Sequence, residues 1–361
     1  MRIRKIQTGR VHIPLKVPFK TALRTVESVE DVIVRIETDT GEEGFGEAPP
    51  TAVITGDTLE SIEGAIRNFI SPSLEGMEIE NLDGIMKKLH SCIKGNTSAK
   101  AAVDMAVYDL YGKSMGRPLY KLLGGARDEL TTDLTISVNP IPQMVEDSLQ
   151  AVKDGFHILK IKVGKEGYKD VERIREIRQA VGPEAVIRVD ANQGWTPKES
   201  VRMIQKMEDL DLKIDLVEQP VPAEDLEGMK FVTSRVATRI LADETVFSPK
   251  QAIRVIEEQA ADMINIKLMK TGGIYEALKI INIAEIYGIE CMIGCMLESK
   301  IAVSAAAHLA AGKSIITAVD LDGPSLCRED PYEGGPLYEG AKIRMPKEAG
   351  IGILKVPVSF Q

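Results

Sequence analysis

A chain of 361 residues, 44% hydrophobic and with a formal net charge of −9, carries enough apolar material for a large core and lacks the basic face that nucleic-acid binding requires. Its four cysteines, Cys92, Cys291, Cys295 and Cys327, show no CxxC spacing, which excludes a disulfide scaffold and suits a reducing, cytoplasmic compartment. The length fits a barrel of about 250 residues plus one smaller domain.

The opening segments "RKIQTGRVHIPL" and "EDVIVRIETDTGEEGFGEA" read as strands joined by a turn, which predicts an antiparallel sheet. The N-terminus lacks the continuous apolar stretch of a secretory leader. No window approaches a membrane-spanning run of about 18 apolar residues, so neither export nor insertion is expected. "GEEGFGEAPP" places glycines at a turn with no helix following, so it is not a nucleotide loop. From about Leu59 to Leu123 the period turns helical, as in "SAKAAVDMAVYDLYGKSM". "GGARDEL" then marks a boundary. The domain reading is an α+β capping domain over 1–125, a barrel over 126–325, and a Gly- and Pro-rich tail over 326–361 that returns to the capping domain.

After the boundary, short apolar strands alternate with amphipathic helices: "LTISV", "ILKIKV", "VIRVDA", "DLVEQP", "RILADE", "MINIKL", "IECMIG" and "TAVDLDG". Reactive residues fall at strand ends at Lys162, Asp190, Glu218, Asp243, Lys267, Cys295 and Asp320, in steps of 24 to 28 residues. That step is the length of one βα unit. Eight such strands predict a (β/α)7β-type TIM barrel, in which strand C-termini build the active site.

Within "ILKIKV", Lys160 and Lys162 share one face of a buried strand, where unpaired ammonium groups are costly. Asp190, Glu218 and Asp243 end the next three strands. Three inward carboxylates raise one another's pKa unless a cation binds, and an all-oxygen set suits Mg²⁺, with Mn²⁺ as a substitute. Separate salt bridges are the alternative. Lys162 and Lys267 then face each other across the barrel mouth. A substrate carboxylate on the metal would put its α-carbon between them, so that one lysine removes a proton and the other returns one to the opposite face. This is a 1,1-proton transfer through an enediolate. Lys160, a like charge beside Lys162, would lower the pKa of that base, and it is also within reach of the substrate carboxylate. Asp320 and Asp322, two apart in "AVDLDGP", make a receptor for an ammonium group, or else a helix cap or turn.

The set "KIK", "DANQGW", "VEQP", "ADE" and "NIKLMKTGG" resembles the muconate-lactonising subgroup of the enolase superfamily, and within it the dipeptide epimerases, over nearly the whole chain. The resemblance implies a Mg²⁺ held by Asp190, Glu218 and Asp243, with Lys162 and Lys267 as paired acid/base catalysts. It implies that Asp320 and Asp322 hold the free N-terminus of a dipeptide whose C-terminal residue is epimerised. It makes "PFKTALRTV" a capping loop whose Arg24 meets an acidic side chain, and it puts Thr135, Cys295 and Leu297 in the pocket wall. Cys295 stands where a small polar residue is expected. Cys295 is not read as a nucleophile, because none of His12, His90, His157 and His308 ends another barrel strand.

The expected activity is Mg²⁺-dependent epimerisation of L-Ala-L/D-Glu, with hydrophobic dipeptides as the second choice. Behind these stand o-succinylbenzoate synthase and muconate cycloisomerase, whose substrates lack an ammonium group for Asp320 and Asp322. A silent metal-binding scaffold is the non-enzymatic alternative. The expected partner is a small dipeptide; a homo-oligomer is compatible with the sequence.

Overall fold

The computed structural model describes residues 1–21, 25–164 and 166–361. Strands Ile3–Lys20, Thr25–Thr38 and Glu43–Ala48 pair antiparallel in sequence order. The third strand is glycine-rich for a steric reason: a Cβ on Gly46 would lie 1.8 Å from the Ala102 carbonyl oxygen. The helix Thr97–Ser114, with small residues at Ala101, Ala102 and Ala106, therefore packs directly on the sheet, and most of its residues are buried.

The barrel has eight parallel strands, paired in chain order. They are Leu134–Ile136, Ile158–Lys162, Val186–Asp190, Ile214–Glu218, Arg239–Ala242, Met263–Lys267, Glu290–Gly294 and Ile316–Asp320. Strands eight and one meet through the Asp133 N–H donating to the Val319 carbonyl (3.3 Å) and the Leu321 N–H donating to Thr132 Oγ1 (2.8 Å). Each of the first seven strands is followed by a full helix. After strand eight only the single turn Gly323–Leu326 forms, which is the (β/α)7β arrangement. Inside the barrel, Leu216, Leu241, Met263, Met292 and Ala318 form a separate apolar plug. Among the described residues no helix is long and apolar enough to cross a membrane.

The tail runs back over both parts. Leu337–Glu339 and Lys342–Arg344 form a sheet with Glu129–Thr131, ahead of the barrel. Further contacts reach the N-terminal strands: the Arg328 N–H donates to the Pro14 carbonyl (2.9 Å), and Phe360 lies against Phe45.

Two carboxylates of the N-terminal part cap barrel helices. Glu47 accepts from the Ser299 N–H at 2.9 Å and the Ala302 N–H at 2.8 Å, at the start of helix Lys300–Gly312. Asp104 accepts from the Ile274 N–H at 2.6 Å and the Tyr275 N–H at 3.2 Å, at the start of helix Ile274–Tyr287. These orphan amides carry the positive end of the helix dipole, so an acid is the favoured cap. The two helices follow strands six and seven, so the caps hold the loops at that side of the barrel mouth.

Candidate active site

The parallel register sets the site. Lys162, Asp190 and Glu218 are Cα partners across strands two, three and four, so their side chains stand in a row. Asp243 follows strand five by one residue, and Lys267 ends strand six. All five are buried. A single cavity is lined from the barrel by Lys160, Lys162, Lys267, Asp243, Asp320 and Asp322. Phe19, Thr21, Thr51, Val53 and Ile54 close it from the N-terminal part.

The adjacent lysines are tolerated because they share acids. Lys162 Nζ lies 2.6 Å from Asp190 Oδ2, and Lys160 Nζ lies 3.2 Å from the same oxygen. Lys160 also lies 2.7 Å from Glu218 and 2.7 Å from Asp320. The sequence suggested that Lys160 acts mainly as a repelling charge on Lys162. The structure instead surrounds it with three carboxylates, which compensate its charge. Burial pulls the Lys160 pKa down, but Asp320, Glu218 and Asp190 together hold it well above the ordinary lysine value. Lys267 is similar: burial lowers its pKa, and Asp243 at 2.7 Å leads the carboxylates that raise it further.

The carboxylates respond in opposite directions. Burial pushes Asp190 up, but Lys162 and Lys160 bring it below its usual range. Asp243 is likewise depressed against burial, by Lys267 and Lys270. Glu218 is pushed up to about 7 by burial and by Asp190 beside it. Its neighbour Glu244 rises to about 8, from burial and Asp243. Four lysines thus stand among six carboxylates, and burial with like-charge repulsion pushes Glu218, Glu244 and Asp322 toward the neutral form.

A divalent ion fits this donor set. Among the described residues no three His, Cys, Asp or Glu side chains are already gathered around one metal-sized centre. Lysine ammonium groups stand between the three carboxylates instead: Lys160 spans Asp190 and Glu218, and Lys267 lies 2.7 Å from Asp243 and 4.0 Å from Glu218. Positive charge is therefore already accepted between each neighbouring pair, and every donor is oxygen, the set that hard divalent ions take.

Asp320 and Asp322 both line the cavity, but not from one strand face as the sequence suggested. Strand eight ends at Asp320, and Asp322 starts the following turn, where Pro324 favours helix entry. Asp322 does not cap that turn; it accepts from the Thr135 N–H at 2.7 Å. Burial and Asp320 raise it to about 6, whereas Asp320 is brought to about 2, against burial, chiefly by Lys160 and Lys267. Thr135, Cys295 and Leu297 line the same cavity. Burial holds the Cys295 thiol far above its ordinary pKa. Arg24 falls outside the described residues.

Sequence reasoning missed several members. Thr51, Val53 and Ile54 come from a loop with no local signature. Asn192 and Gln193 have left-handed backbones (φ 43° and 67°), which lets the Asn192 N–H turn back onto Asp190 Oδ1 at 2.8 Å. Their position inside "DANQGW" was the available signal. Lys270, inside "NIKLMKTGG", reaches Asp243 from behind, 2.6 Å from Oδ1.

Comparison with known proteins places both parts of the chain. Residues 3–124 match the N-terminal domain of mandelate racemase / muconate lactonizing enzyme, and residues 143–354 match the enolase C-terminal domain-like family. The chain is 58% identical to an L-Ala-D/L-Glu epimerase of Clostridium acetobutylicum, over 98% of this chain and 99% of that one. A substrate-liganded structure of the L-Ala-D/L-Glu epimerase from Bacillus subtilis superposes with a TM-score of 0.98 at 50% identity, covering 99% of this chain and 100% of that one. A dipeptide epimerase from Enterococcus faecalis, complexed with Mg and L-Leu-L-Tyr, superposes with a TM-score of 0.95 at 43% identity, covering 98% and 100%.

Proposed function

The chain belongs to the mandelate racemase / muconate lactonizing enzyme family of the enolase superfamily, and on that premise we propose that it is a dipeptide epimerase acting on L-Ala-L/D-Glu. The observation that carries this reading is the pair of buried lysines on opposite walls of one cavity, Lys162 from strand two and Lys267 from strand six, with acids at both ends of the space between them.

The substrate's ammonium group pairs with Asp320 and Asp322. Its carboxylate turns toward Asp190, Glu218 and Asp243, which would hold Mg²⁺, and Lys160 lies beside it. The ion, when bound, offsets the negative charge that builds on that carboxylate. The α-carbon of the C-terminal residue then lies between the two lysines. Asp243 favours a protonated Lys267, and an ion taking up that carboxylate would remove this bias, so that the lysine on the hydrogen's side, in its neutral form, takes the proton and leaves the electron pair on the substrate. The other, protonated, returns a proton to the opposite face. The phenyl ring of Phe19 and the apolar side chains of Val53, Ile54 and Leu297 keep bulk water from the carbanion.

Arg24 in the capping-loop sequence favours an acidic second side chain. The described wall favours a second reading: Phe19, Val53, Ile54, Met296, Leu297 and Leu326 are apolar, which suits a hydrophobic side chain. Comparing kcat/KM for Ala-Glu, Ala-Leu and Ala-Phe, in wild type and Arg24→Ala, tests both. Ala-Glu should lead in wild type and lose its lead in the variant. If it is the poorest of the three in both, the acidic-substrate reading fails. No epimerisation of any of them would remove the dipeptide reading itself.

A further inference from the structure

Lys270 lies three residues beyond Lys267, on the single turn Leu268–Thr271, and is fully buried. Its ammonium donates to the backbone carbonyl of Asp243 and, at 2.9 Å, to that of Asn265. It also lies 2.6 Å from Asp243 Oδ1. Lys267 takes the other oxygen, Oδ2, at 2.7 Å. Asp243 is thus gripped by two lysines, of which Lys267 lines the cavity and Lys270 does not.

Burying a second ammonium here is expensive unless it is well surrounded. Lys267 already pairs with Asp243 Oδ2, so Lys270 is a second cation on the same carboxylate. What Lys270 adds is restraint. Lys270 hydrogen-bonds to the Asp243 backbone carbonyl and places its charge 2.6 Å from Oδ1, which favours the carboxylate orientation that leaves Oδ2 to accept from Lys267. The turn that carries Lys270 is itself fixed. Gly273 has φ +117°, and a Cβ there would come within 2.2 Å of Asp104 Cγ, the acid that caps the next helix.

The geometry points to Lys270 as a positioning residue that fixes the Asp243 carboxylate and, through it, the Lys267 ammonium. This rests on the epimerase reading, in which Lys162 and Lys267 each serve one epimer. The test is solvent-deuterium exchange at the α-carbon of each Ala-Glu epimer at saturating Mg²⁺, in wild type, Lys267→Ala, Lys270→Met and Lys270→Arg. The epimer that stops exchanging in Lys267→Ala identifies the Lys267 face. Beyond any slowing that both epimers share through Asp243 as an ion ligand, Lys270→Met should slow exchange of that epimer by a further roughly ten- to a hundredfold, the range expected for a lost charge-assisted contact or a misplaced group. Lys270→Arg keeps the charge but its planar fork cannot surround the same oxygens, so it should recover only part of the rate. A crystal structure of Lys270→Met should show the Asp243 carboxylate turned from Lys267.

Equal slowing of both epimers, or none, overturns the inference. So does loss of the fold in both variants, which would make Lys270 a purely structural ion pair. If wild type exchanges neither epimer, it is the epimerase reading that fails.

Discussion

On the two-lysine proposal, Lys162 and Lys267 can be removed one at a time, and each removal should leave the other lysine facing its own side of the substrate. Lys162→Ala and Lys267→Ala should each cut epimerisation by roughly a hundred- to ten-thousandfold, the usual contribution of one general acid or base. Each variant should still exchange the α-proton of one epimer, and the two should differ in which. Proton NMR in deuterated buffer reads this directly; normal epimerisation by Lys267→Ala would refute the two-face mechanism. At the amino end, Asp320→Asn should raise KM for free dipeptides, and N-acetylated dipeptides should be poor substrates of wild type by roughly ten- to a hundredfold. N-acetyl-Ala-Glu turning over as fast as Ala-Glu would remove the ammonium-receptor role. These residues were legible in the sequence because each sits at the polar end of an apolar strand, at nearly constant spacing. Lys160 was legible as a member, but its surroundings were not: Asp320, which touches it, lies 160 positions away, across the barrel seam.

The elements divide in the same way. The eight strands and their order followed from apolar runs repeated at the length of a βα unit, and a closed barrel is the simplest way to pair them all. The single turn after strand eight carried a signal in Pro324. The helix caps supplied by Glu47 and Asp104 carried none, since an isolated acid in a strand or a buried helix forms no local pattern. Yet the Asp104 cap predicts a measurable effect. Asp104→Ala strips acceptors from two helix-start amides and should cost about 1–2 kcal/mol in denaturant unfolding. The pH dependence has a definite sign. Burial pushes Asp104 up from 3.8 to about 8, outweighing the two amides that favour its charged form. A carboxyl whose folded pKa is raised contributes stability that is complete below its unfolded pKa and is lost as pH rises through the folded one. Wild type should therefore lose stability relative to Asp104→Asn between about pH 4 and 8, and parallel pH profiles for the two proteins would remove that assignment. Gly273→Ala, placed at a positive φ against Asp104, should cost about 2 kcal/mol or more by the same measurement.

At the scale of the whole molecule, the cavity lies between two parts of the chain that fold from distant sequence: barrel strand ends supply the charges, and the Phe19–Thr21 and Thr51–Ile54 segments supply the cover. That division explains why the charged lining residues were readable in the sequence while the covering residues were not, since strand ends are periodic and covering loops are not. The surplus acid is itself buried, so a cation that relieves it should stabilise the folded chain. A ligand that binds only the native state adds RT ln(1 + [L]/Kd), about 2.7 kcal/mol at a hundredfold excess over Kd. Thermal unfolding should therefore move upward with added Mg²⁺ or Mn²⁺ and return on chelation, with epimerisation lost and restored in step. Asp190→Asn removes one ligand charge yet leaves an amide of the same shape, so it should fold, melt almost independently of Mg²⁺, and require much more ion for any turnover. Glu218→Gln should behave alike. A melting temperature indifferent to Mg²⁺ in wild type, together with full turnover in excess chelator, would show that the lysines alone satisfy Asp190, Glu218 and Asp243, and the three carboxylates would then be an ion-pair network with no metal to hold.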